Sequence, residues 1–264
     1  MDYETVIYKK EGPIATLTFN RPHVMNAQNY QQSQETRQAV QEANADDEVR
    51  VLILTGAGRG FHAGDDVKET FLGEDREERR RTSKVARLRG FRAPTYLEGF
   101  FKPVIGAING PAVGAGFEIA LQCDIRIASE NAKFGYFYVR RGMIGTYPVG
   151  IMMLPHLVGA SRALEMIMSG ELIDAAEADR TGLVSRVVSQ DCLIEEAQAV
   201  ANKLLQAAPL AQQAVKQAFY RAMFQPQTLA DFMATTGSAL METEDHLEGA
   251  RAFAEKRTPE YRGR

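Results

Sequence analysis

The chain has 264 residues, 45% of them hydrophobic and 25% charged, enough for a sizeable core in one large domain or a domain with an appendage. Its formal net charge of -3 lacks the basic excess that nucleic-acid-binding domains carry. The N-terminus Met1-Asp2-Tyr3-Glu4 is not basic-then-apolar like a secretion signal, and no apolar run approaches membrane-spanning length, so a soluble, cytoplasmic protein is expected.

Val6–Lys9 and Ile14–Phe19 are rich in strand formers and read as an opening hairpin that turns at Glu11-Gly12. Asn20-Arg21-Pro22 ends it, and a Gln-rich helix follows from about Ala27 to Ala45 with Asn26 as its N-cap. Val49–Leu54 is an apolar run broken only by Arg50, the pattern of a strand covered on both faces. Gly56 to Gly64 is a loop with four glycines, and Glu69 to Arg92 is a charged run that reads as a solvated helix or flap. Val104–Ile108 is a strand, Asn109-Gly110-Pro111 a turn, Val113–Leu121 an apolar helix interrupted by Glu118, and Asp124–Ala128 a strand. This rapid succession predicts an α/β fold. Asp191–Ala207, Leu210–Met223, Thr228–Leu240 and Thr243–Lys256 suit helices, punctuated by Pro209 and Pro226. The expected layout is an α/β core over residues 1–207 and a helical region over 208–264 that can pack on a neighbouring subunit. Cys123 and Cys192 lie among apolar residues without metal-ligand spacing and are read as two buried thiols in a reducing compartment.

Gly56-Ala57-Gly58-Arg59-Gly60 after a strand invites a dinucleotide-binding reading, but the third glycine of that fingerprint falls on Phe61, and no Walker-type lysine is present. The turns Ala63-Gly64-Asp65 and Gly114-Ala115-Gly116 are either tight for steric reasons or sources of backbone amides. The second opens a helix, whose free N–H groups favour negative charge, so the two facing each other would make an oxyanion hole. Glu118 lies three residues beyond Ala115 on the same helical face, among Phe117, Ile119, Ala120 and Leu121. Poor solvation raises a carboxyl pKa towards neutrality and suits proton transfer; stabilisation of a first-turn glutamate by the helix dipole is the alternative. His62 is expected to pack or hydrogen-bond locally, and His23, His156 and His246 have no partner spacing.

These residues resemble the crotonase, or enoyl-CoA hydratase/isomerase, family over nearly the whole chain. The resemblance rests on Asn20-Arg21-Pro22 with Asn26-Ala27, Leu52–Gly56 and Phe61-His62-Ala63-Gly64-Asp65-Asp66. Lys102-Pro103-Val104-Ile105, Asn109-Gly110, Gly114-Ala115-Gly116-Phe117-Glu118 and Cys123-Asp124 follow in order. Phe134-Gly135, Gly182-Leu183-Val184 and Ala252–Arg257 complete it. It implies a spiral of ββα turns with a C-terminal helical trimerisation region, and a trimer or a dimer of trimers. It implies a coenzyme A thioester as the carrier of substrate, with no permanently bound cofactor or metal. It places the oxyanion-hole amides at Asp65 and Ala115. Coenzyme A is expected near Val24, Ala63, Asp65, Val67 and Lys68, with Phe253 and Lys256 contributing from a C-terminal helix.

The family's hydratases use two glutamates. Glu118 matches the first, while Tyr138 stands at the second, four residues after Phe134. Asp65 occupies a position that is small or apolar in those hydratases. Glu118, Asp65 and Tyr138 are therefore the catalytic candidates, and Arg140, Arg141 and Tyr147 are the candidates for the acyl pocket. An acyl-CoA lyase or isomerase centred on Glu118 is expected. The alternatives are a decarboxylase, hydrolase or carbon–carbon lyase of the same family, or a non-catalytic member holding RNA or another polyanion on Arg76–Arg92. Net acidity and the retained Glu118 favour the enzyme.

Overall fold

The computed structural model describes residues 3–71, 97, 99–145 and 149–264. Strands β1 (Val6–Glu11) and β2 (Ile14–Phe19) form the expected antiparallel hairpin, in which Ala15, Leu17 and Phe19 of β2 point inwards. Helix α1 (Tyr30–Ala45) crosses back, so that β3 (Val51–Gly56) pairs parallel to β2. The helix starts later than expected. Asn29, not Asn26, is its N-cap and accepts from the Gln32 amide at 3.0 Å. Asn26 is instead buried in the left-handed conformation at φ 59°.

After α2 (Val67–Phe71) come β4 (Val104–Ile108), the short β5 (Ala112–Val113), α3 (Ala115–Gln122), β6 (Ile125–Ser129) and β7 (Lys133–Gly135). Then follow α4 (Val149–Val158), α5 (Ala160–Ser169), β8 (Ile173–Asp174), α6 (Ala175–Arg180), β9 (Arg186–Val188) and α7 (Leu193–Leu204). Six strands form one sheet in the order β1-β2-β3-β4-β6-β9, parallel from β2 onwards, and β5-β7-β8 form a second sheet.

The period of two along a strand sorts the central residues into two cores. Leu52, Leu54, Val104 and Ile108 join the larger cluster with Phe19, Phe61 and Phe117. Val51, Ile53, Ile105 and Ala107 face the other way, onto Leu193, Ala197, Val200 and Ala201 of α7. That two-sided burial is why β3 and β4 read as unbroken apolar runs.

Helix α8 (Pro209–Phe224) is tied to the sheet through Asp124, whose carboxylate accepts from Tyr220 Oη at 3.0 Å and pairs with Lys216 Nζ at 2.8 Å. Tyr220, Met223 and Phe224 pack on the larger core. Helix α9 (Leu229–Met241) has no buried residue, and Met233, Met241, Leu247 and Phe253 on α9 and α10 (Glu244–Glu255) are exposed. Of the two cysteines, Cys123 is buried and its thiol is pushed up to about 12 by desolvation. Cys192 is exposed, against expectation, because it sits in the 3-10 turn just before α7 rather than on that helix's buried face. No helix among the described residues is long and apolar enough to cross a membrane.

Candidate active site

The site grows from the ends of β3 and β4, where two asparagines fix the glycine-rich loop. Asn109 accepts from the Gly56 amide at 3.1 Å and donates to the carbonyls of Gly58 and Gly60. Asn26 donates to the carbonyls of Ala57 and Gly60 at 2.9 and 2.8 Å and accepts from the Arg21 amide at 2.8 Å. The loop is therefore a clamp of side chain on backbone, and no phosphate is needed to order it.

Beyond the clamp, His62 runs beside β5. Its amide donates to Pro111 O, and its carbonyl accepts from Val113 N, both at 3.0 Å. This brings the turn at Gly64 against the turn at Gly114. Gly64 has φ +89°, and a Cβ there would stand 2.9 Å from Val113 O and 3.5 Å from Ala115 N, so glycine is needed on both counts. The amides of Asp65 and Ala115 donate to no backbone acceptor among the described residues. Both residues line one pocket together with Ala63, Gly64, Val113 and Gly114. Ala115 opens α3, so its amide also carries the positive end of the helix dipole. His62 Nδ1 accepts from the Gly64 amide at 3.1 Å, and full burial lowers this histidine's pKa to about 3. It is a neutral local acceptor, as expected.

The facing wall of the pocket is Phe137, Tyr138, Arg141 and Met143. Tyr138 Oη donates to Glu118 Oε2 at 2.8 Å, so the structure joins these two candidates directly. Glu118 has no solvent exposure and Tyr138 only 4%, and a hydrogen bond of this kind is stronger away from water. Tyr136, fully buried, packs edge-on against Tyr138 with ring centroids 4.9 Å apart and accepts from the Gly145 amide at 2.9 Å. Burial, and then the Glu118 charge, push its phenol above the ordinary tyrosine value. A Cβ on Gly145 would lie 2.2 Å from Tyr136 Oη and 2.8 Å from Glu118 Oε1, so this loop closes tightly over the carboxylate.

Asp65 points its carboxylate at Gln28, whose Nε2 donates to Oδ1 at 2.6 Å. Burial raises its pKa, while Gln28 and the Arg141 charge oppose the rise. Val24, Ala63, Val67 and Lys68 follow one edge of the same region. Ala63 N donates to Met25 O at 3.1 Å, which places the 3-10 turn Pro22–Val24 next to it, and Val67-Lys68 opens α2. Phe253, 88% exposed, and Lys256, which caps α10 at φ 56°, share no hydrogen bond, ion pair or ring contact with residues 63–68 among the described residues.

Arg140 is not in the pocket. The 3-10 turn Val139–Arg141 swings it outwards, where Nε donates to Ser169 O at 3.1 Å and the guanidinium lies 5.4 Å from the centroid of Phe137. Arg141, next in sequence, lines the pocket. Tyr147 and the cluster Arg76–Arg92 lie outside the described residues. Two contributors had roles that the sequence did not reveal. Gln28 acts across 37 positions, and Asn26 looks like an N-cap.

The enoyl-CoA hydratase/isomerase family model matches residues 9–264. A short-chain-enoyl-CoA hydratase of Clostridium acetobutylicum is 39% identical over 259 residues, with 97% of each chain covered. An (E)-benzylidenesuccinyl-CoA hydratase of Thauera aromatica is 37% identical, with 95% of this chain and 96% of the relative covered. Among solved structures, the enoyl-CoA hydratase of Bacillus anthracis superposes with a TM-score of 0.88 at 34% identity, over 99% of this chain and 100% of that one. The likeness bears out the crotonase-like α/β fold expected from the sequence.

Proposed function

From the premise that the chain belongs to the enoyl-CoA hydratase/isomerase family, we propose that it moves protons on an acyl-CoA thioester through an enolate. The Asp65 and Ala115 amides receive the thioester oxygen, and Glu118 is the acid/base. The observation that carries this reading is the 2.8 Å bond from Tyr138 Oη to buried Glu118 Oε2, with Tyr138 lining the same pocket as both amide donors. Removing a proton from Cα moves charge onto the thioester oxygen. Two preorganised donors there are each worth about 3 kcal/mol of barrier. Glu118 takes the proton and returns it at Cα or further along the chain, and Tyr138 holds the carboxylate and is itself the wall that the acyl group meets.

Addition of water to a 2-enoyl thioester and migration of its double bond share that enolate. With tyrosine at the second glutamate's place, a lyase or isomerase reaction on a non-standard acyl group fits best. The relatives above are named hydratases, so the decarboxylase, hydrolase, carbon–carbon lyase and RNA-binding alternatives draw no support from them. Their acyl groups run from short-chain enoyl to benzylidenesuccinyl, which leaves the acyl group of this chain open. In this reading Val24, Ala63, Asp65, Val67 and Lys68 hold coenzyme A, and Phe253 and Lys256 join them from a C-terminal helix. Residues 208–264 form the self-association region; the exposed apolar side chains of α9 and α10 support a trimer or dimer of trimers.

The test is exchange of the α-protons of butyryl-CoA in deuterium oxide, followed by NMR. Glu118→Gln keeps the shape and removes the titrating group, so exchange falls by orders of magnitude while thioester binding stays near normal. Wild-type exchange rates in that variant would sink the assignment.

A further inference from the structure

We propose that Arg141 is an anion-reading residue of the acyl pocket and selects acyl groups that carry a carboxylate beyond the thioester. The inference rests on the acyl-CoA reading above and deepens it to a substrate class.

The position comes first. The Arg141 amide donates to Tyr138 O at 2.9 Å, and Met143 N donates to the same carbonyl at 3.0 Å. Arg141 is thereby fixed to the residue that holds Glu118, on the wall facing the Ala63–Asp65 turn. That wall meets the acyl chain beyond Cα if the thioester oxygen sits between the Asp65 and Ala115 amides.

The state of its charge comes second. Arg162, Arg186 and Arg257 elsewhere in the chain are all ion-paired to glutamates. The Arg141 guanidinium makes no ion pair or hydrogen bond among the described residues. The acidic group whose field it shares, Asp65, is engaged by Gln28 instead. Arg141 is solvent-exposed and stands on a wall otherwise made of Phe137, Tyr138 and Met143, and a guanidinium fork pairs a carboxylate in bidentate fashion. Arg140, pointing away to Ser169, supplies an internal control.

The phosphates of coenzyme A offer the same anionic chemistry, so the test separates the two sources. Glutaryl-CoA and butyryl-CoA, with their N-acetylcysteamine thioester counterparts that lack phosphates, are titrated calorimetrically into wild type, Arg141→Ala, Arg141→Lys and Arg140→Ala. Wild type and Arg140→Ala bind the glutaryl thioester about tenfold more tightly than the butyryl one, on both carriers. Arg141→Ala brings that ratio to about one, and Arg141→Lys keeps part of it. Equal wild-type affinity for both acyl groups overturns the proposal, as does an Arg141→Ala loss equal for both on coenzyme A and absent on the short carrier. The exchange assay on butyryl-CoA is run alongside. Exchange without acyl preference removes this inference alone, and acyl preference without exchange removes the catalytic reading alone.

Discussion

Replacing Tyr138 with phenylalanine deletes one hydroxyl and leaves the ring that packs on Tyr136. The lost group donates to Glu118 Oε2 at 2.8 Å, and neither residue is more than 4% exposed, so water does not readily replace it. A hydrogen bond to a charged group contributes about 1.5–3 kcal/mol, and about 1.4 kcal/mol is a factor of ten in rate. Exchange of butyryl-CoA α-protons is therefore expected to slow by about 10- to 150-fold. The decisive measurement is the double variant. If Tyr138 acts by holding Glu118, then adding Tyr138→Phe to Glu118→Gln lowers the residual rate by less than about twofold, because the carboxylate it serves is already gone. A Tyr138→Phe enzyme that exchanges at the wild-type rate refutes the reasoning. So does a pair of losses that multiply in full, which would make the two residues independent.

Two further outcomes follow from the geometry. Burial raises the Asp65 pKa, so the folded state holds that proton more tightly than the unfolded chain, and stability is lost as pH rises through the ordinary aspartate range to the raised value. Asp65→Asn keeps an acceptor for Gln28 and removes the charge; its Tm should exceed wild type at about pH 8 and converge with it below about pH 4, and a pH-independent difference would contradict this. Light scattering should return three or six times the chain mass of 29.2 kDa, and a monomer mass at micromolar concentration would leave the exposed apolar side chains of α9 and α10 unexplained.

The strands were legible because burial on both faces leaves a mark that no partner is needed to read. Val51–Leu54 and Val104–Ile108 are apolar throughout, and both are central. The start of α1 was misread because Asn26 and Asn29 have the same capping chemistry. Only tertiary structure assigns Asn26 to the glycine loop 30 and more positions away. Strands as short as β5 and β7 carry no periodic signal, since two or three residues cannot show one. Glu118 and the two amide turns stood out, since an acid in an apolar helix and glycines at strand ends both run against local preference. The division between Arg140 and Arg141 was invisible. In a turn with about three residues per revolution, consecutive side chains diverge by roughly a third of a circle, so Arg141 lines the pocket while Arg140 turns to Ser169.

His62 bears on how the protein fails in acid. Its ring stays neutral in the fold down to about pH 3, whereas an unfolded histidine takes a proton near 6.5. Across that interval the unfolded chain binds the extra proton, so stability, in full above the upper limit, drains away as pH falls towards the lower one. The acceptor nitrogen that sets the Gly64 turn therefore has a second role as an acid fuse. Acid is therefore expected to act on the Gly64 turn through the folding equilibrium rather than by protonating His62 within the fold, and a pH titration of thermal unfolding reads that loss.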